Sequence, residues 1–205
     1  MRQRFNLLMS LLFWLIMVIG FSDNWLFDVQ QSSNSEPKFL IHAGFAFCWF
    51  TILVVQAALV RSRKVRVHQS LGITGMIVYA GFALSTIYLY YLKIAAGRVA
   101  ALTVLNMALF CVGTLLIVQG FLARKTNTET HRTNIVFGSF LLMEPGISRA
   151  VGHLFGKDGQ PIWLLTYLIL FGMFVWYHRR IKWQVAVGFG TWLAGTVYLI
   201  VQMAK

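Results

Sequence analysis

Residues 39–60 read FLIHAGFAFCWFTILVVQAALV, a run of 22 residues without an ionised side chain apart from the titratable His42. A helix rises about 1.5 Å per residue, so about 20 such residues cross the ~30 Å hydrocarbon core of a bilayer. The rest of the chain has the same character. It is 205 residues long, 58% hydrophobic and only 12% charged, where a soluble domain carries roughly 25% charged residues. That leaves too little polar surface to cover a soluble globule. Inside a bilayer, backbone polar groups must be satisfied within the segment, which makes helices the natural solution. The chain therefore reads as an all-α integral membrane bundle of about seven transmembrane helices forming one domain over residues 1–205. The spans fall near 5–21, 39–60, 69–92, 100–123, 134–155, 162–177 and 184–203.

Polar stretches punctuate these runs: SDNWLFDVQQSSNSEPK, RSRKVRVH, KIAAGR, RKTNTETHR, GKDGQP and HRRIK. Most are short, which makes neighbouring helices antiparallel. The longest, residues 22–38, carries three of the six acidic residues. The opening MRQR and the apolar run behind it also resemble a signal peptide. No small-x-small cleavage site follows, so the first span is expected to stay as an anchor; its removal would leave six spans.

The net charge of +12 raises the question of nucleic acid, but the distribution of charge answers it. Twelve of the 18 basic residues lie at the N-terminus and in alternate loops (Arg61, Arg63, Lys64, Arg66; Arg124, Lys125, Arg132; Arg179, Arg180, Lys182), and six lie on the other side. The positive-inside rule then puts the N-terminus in the cytoplasm and the C-terminus outside. The basic excess marks topology and an attraction to anionic lipid headgroups on the cytoplasmic side, with no nucleic-acid partner. Cys48 and Cys111 fall inside spans and read as small packing residues, not as a disulfide framework. No Walker loop, Rossmann fingerprint, metalloprotease helix or nucleophile elbow occurs.

Polar side chains inside the spans are where chemistry is sought. His42 and His153 fall toward the outer face; His68, His131 and His178 fall toward the inner one, beside Arg or Lys. Such residues anchor helix ends at the headgroups, and they are also heme ligands with basic neighbours for the propionates. Pairing His42 with His153 and His68 with His131 would give two sites ~25 Å apart, an arrangement suited to moving electrons across the bilayer. The fifth span, HRTNIVFGSFLLMEPGISRAVGHLF, places Glu144 near the midplane and Arg149 beyond it. Ionisable groups at that depth cost a few kcal/mol and turn inward to find partners. Pro145 should kink the helix and free the Leu141 carbonyl. Pro145, Arg149 and His153 recur every four residues and share one face. Tyr88, Tyr91, Thr103 and Asn106 offer polar company on the outer side.

His42 in its span, RKVRVHQSLGITG with His68, Leu71 and Gly72, and His131, Arg132, Pro145 and Arg149 together form a pattern. It resembles a bacterial family of predicted multi-span membrane proteins of unknown function, in which a histidine-bearing helix leads to a His-Arg-x-Leu-Gly turn and a later His-Lys-Arg-Leu-Met segment runs to Pro-x-x-x-Arg. The resemblance covers about residues 39–155, and it implies a bacterial inner (plasma) membrane. Gln69, Thr133 and Asn134 depart from the pattern, which bears on His68 and His131. The histidine arrangement is similar in outline to b-type membrane cytochromes. Three functions stay open. The first is heme b or quinone-linked electron transfer, with His42, His153, His68 and His131 as candidate ligands. The second is a carrier or binding protein for a small anionic or lipid-like molecule, with Arg149 as counter-ion; Glu144 and Arg149 are the candidate ligand or proton site, within a polar site in the outer half built from His42, Glu144, Arg149 and His153. The third is a scaffold without chemistry.

Overall fold

The computed structural model describes residues 2–178 and 182–204. Arg179, Arg180 and Lys205, used above for orientation, lie outside the described residues. Among those residues the regular structure is helical: α1 Arg2–Gly20, α2 Pro37–Arg61, α3 Val65–Ala95, α4 Ala101–Leu122, α5 Thr128–Leu141, α6 Glu144–Phe155, α7 Gln160–His178 and α8 Trp183–Met203. α2, α3, α4, α7 and α8 are long and apolar enough to cross a membrane, and α5 with α6 make a sixth span if counted as one bent helix. The fold is thus all-α with five or six such helices, consistent with a membrane-spanning bundle. The seventh span expected from sequence corresponds to α1, whose apolar stretch Arg4–Gly20 is at the short end of what spans a bilayer.

The chain divides into two compact units, Met1–Gly97 and Arg98–Lys205. In the first, α2 packs against both α1 and α3. Met9 and Phe13 of α1, Trp49, Phe50 and Leu53 of α2, and Tyr79 and Phe82 of α3 are buried. The Trp49 and Tyr79 rings meet at 4.7 Å, and the Trp14 indole N–H donates to Thr51 Oγ1 at 3.2 Å. Pro37 opens α2 in its first turn, where a missing N–H costs nothing, and Glu36 forms an ion pair with Lys38. Beyond α1 a wide turn at Asp23–Phe27 carries Trp25 onto Phe47 at 4.5 Å.

In the second unit α4 lies against α5, α8 and α6, and α7 lies against α6 and α8. Lipid tails are as apolar as leucine, so helices here are held by close van der Waals contact and polar bonds more than by hydrophobic exclusion. α4 and α5 follow that rule. A Cβ on either Gly113 or Gly138 would lie 2.8 Å from the other's carbonyl oxygen, so the two backbones touch. Asn134 then donates from Nδ2 to Gln119 Oε1 at 2.8 Å. Asn127 caps α5, its side-chain oxygen accepting from the Thr130 N–H at 2.9 Å, and Lys182 donates to Glu129 at 2.5 Å.

The break between α5 and α6 falls where Pro145 predicts it. Pro145 lacks the N–H that the Leu141 carbonyl would accept in a continuous helix. The chain tightens instead, with Leu142 N–H bonded to Ser139 O at 3.2 Å and Met143 N–H to Phe140 O at 2.9 Å. α6 then leaves at 49° to α5.

Candidate functional site: a buried carboxylate among aromatic rings

The bend delivers Glu144, the first residue of α6, into the interior of the second unit, where it is 1% exposed. Its polar neighbours come from three helices: Asn106 of α4, Ser148 one turn along α6, and Trp163 of α7. Tyr167 of α7 also lies within electrostatic reach. None of these contacts closes into a well-formed bond. Among the described residues neither carboxylate oxygen has a hydrogen-bond partner, and the same holds for Asn106 Oδ1, the indole N–H groups of Trp163 and Trp192, Tyr167 Oη and Thr196 Oγ1. Buried polar groups in folded proteins are nearly all hydrogen-bonded, so a cluster of exceptions asks for an explanation.

Rings wall this cluster. Tyr167 stacks on Trp192 of α8 with centroids 5.1 Å apart and planes 22° apart. Trp163 approaches Tyr167 edge-on at 5.2 Å and Trp192 at 5.9 Å. Phe140 meets Tyr167 at 5.6 Å, and Phe171 meets Trp192 at 5.8 Å. The spacing of Trp163 and Tyr167, four residues apart, puts both rings on one face of α7.

The other residues singled out from sequence are placed differently. Pro145, Arg149 and His153 are all exposed and share one face of α6, as their spacing predicts. That face is opposite Glu144, so Arg149 is not brought to the carboxylate. His131, on the first turn of α5, is half-buried, with Nδ1 2.9 Å from the Gly120 carbonyl. A carbonyl only accepts, so Nδ1 carries the proton. In the first unit, His42 is half-buried on α2, its ring 5.3 Å from Phe82 and its Nδ1 3.2 Å from Ser85 Oγ. The Ser85 hydroxyl donates to the Phe82 carbonyl at 2.9 Å, so its oxygen accepts from His42 Nδ1–H and the ring's lone pair lies on Nε2. His68 is half-buried near the start of α3.

Asn106 was legible as polar company on the outer side. Trp163, Tyr167, Trp192 and Thr196 were not: on apolar spans they read as packing or interface residues, and only the crossing of α7 with α8 gathers them. Among the described residues no group of three or more His, Cys, Asp and Glu side chains is placed to hold a metal ion. Cys48 and Cys111 are free and exposed. The chain matches no protein-family model, no curated protein and no solved structure.

Proposed function

We propose that this chain is a carrier or binding protein of the bacterial plasma membrane that takes up a small molecule at the Glu144 carboxylate. The observation that carries the reading is a carboxylate 1% exposed whose two oxygens lack hydrogen-bond partners among the described residues. Such a group costs several kcal/mol to keep in a low-dielectric interior unless something pairs with it. Natural bundles retain that cost at sites that bind or move something. In this reading α1 is the seventh span, the N-terminus is cytoplasmic, and the inner basic loops lie against anionic headgroups. The plasma membrane of a bacterium follows from the resemblance of residues 39–155 to the multi-span family.

Dicyclohexylcarbodiimide, an apolar reagent that couples to membrane-embedded carboxylic acids, tests the reading. Mass spectrometry of the folded protein should locate the adduct on Glu144. A folded protein that leaves Glu144 unmodified would mean a sealed carboxylate that no ligand reaches.

A second reading, heme b or quinone-linked electron transfer, is favoured by one feature. His42 and His131 both hold Nδ1–H in a hydrogen bond, which is how ligating histidines are oriented to present Nε2. The visible spectrum separates the two, since bound heme gives an intense Soret band that disappears in His42→Ala, whereas the carrier is colourless.

A further inference from the structure

We infer that the molecule bound at Glu144 is an organic cation, an ammonium or quaternary amine carried on an apolar body. This rests on the reading that Glu144 is a small-molecule site and adds the charge and shape of what it takes. Among the described residues the single carboxylic acid in the cluster is Glu144, and its nearest polar neighbours, Asn106, Ser148, Trp163 and Tyr167, are neutral. An anion brought there would meet a carboxylate with no cation beside it among the described residues, because Arg149 sits on the exposed face of α6. A positive charge supplies the missing partner. A hard metal ion needs several oxygen ligands, and no acidic or histidine cluster of that kind exists among the described residues.

The walls narrow the choice further. Trp163, Tyr167 and Trp192 are mutually packed at 5.1–5.9 Å. Trp and Tyr faces attract cations through the ring quadrupole, and rings gathered around a cation recognise quaternary ammonium groups in particular. The same rings give an apolar surface to the rest of the molecule.

The test uses the purified full chain in nanodiscs and three probes of matched shape: benzyltrimethylammonium, its neutral carbon isostere neopentylbenzene, and benzenesulfonate. Equilibrium dialysis of labelled benzyltrimethylammonium should give saturable binding that neither competitor displaces. Glu144→Gln should abolish it, and Trp163→Leu should weaken it roughly tenfold. No saturable binding to folded wild-type protein overturns the inference, as does displacement by the neutral isostere as effective as self-displacement; neither comparison needs a variant to fold. Binding unchanged in folded Glu144→Gln overturns it as well. If benzenesulfonate alone binds, the charge assignment fails and the small-molecule site survives. If nothing binds and the carbodiimide leaves Glu144 unmodified, the underlying reading fails with it.

Discussion

Glu144 and Arg149 stand on opposite sides of one helix: five residues turn α6 through ~140°, which buries the first to 1% exposure and leaves the second exposed. Two charges in one span are thus two separate matters. A buried pair would show strong coupling, since removing one partner strands the other. Here the unfolding free energies of Glu144→Gln, Arg149→Met and the double variant should add to within ~0.5 kcal/mol. Recovery of stability in the double variant, by more than about 1 kcal/mol over the sum, would show that the two side chains meet.

The contact of Gly113 with Gly138 gives a second test, on the packing of α4 against α5. Alanine at Gly138 puts a methyl group 2.8 Å from the Gly113 carbonyl oxygen and equally close to the Ile117 side chain. Backbone cannot yield there as a flexible side chain would, so Gly138→Ala should destabilise the fold by about 1–3 kcal/mol. Gly44→Ala, where nothing among the described residues lies within 4 Å of the added methyl, is the control and should melt at the wild-type temperature or above. Equal melting temperatures for the two variants would contradict the close crossing.

Tyr167 has its ring in the core, 0% exposed, and its hydroxyl without a hydrogen-bond partner among the described residues. An unmet buried hydroxyl costs about 1–3 kcal/mol. Tyr167→Phe should therefore raise the melting temperature of the unliganded protein while weakening binding at Glu144. A lower melting temperature would mean that the hydroxyl is satisfied within the fold.

Orientation is tested with reporters. An enzyme active only outside the cytoplasm should work when fused after Lys205 and be silent when inserted in the loop between Arg124 and Arg132. The opposite pattern would invert the topology and exchange the outer and inner histidines.

The spans were legible because a bilayer sets a length that apolar runs must meet: 39–60 and 184–203 differ from α2 and α8 by a residue or two at the ends. The bend was legible too, because proline's missing N–H acts locally. What sequence could not show was the company of Glu144. Periodicity says which residues share a helix face, but not which helix that face meets, so Trp163 and Trp192 looked like any other aromatic on an apolar span. Glu144 and Arg149 are five residues apart, ~140° around the helix, so a direct pair needs the kink or a partner from another helix, and the structure leaves Arg149 exposed. The wide turn at Asp23–Phe27 had no signal in its composition, since its apolar Trp25 finds Phe47 only through the fold.

The most direct measurement is the thermal unfolding of Glu144→Gln beside its capacity to be labelled or to bind. A carboxylate kept for function at the expense of stability leaves a protein that is no less stable without it. The variant should melt at or above the wild-type temperature and have lost carbodiimide labelling at position 144 and benzyltrimethylammonium binding. A large fall in melting temperature with binding intact would show that Glu144 holds the bundle together and serves no ligand.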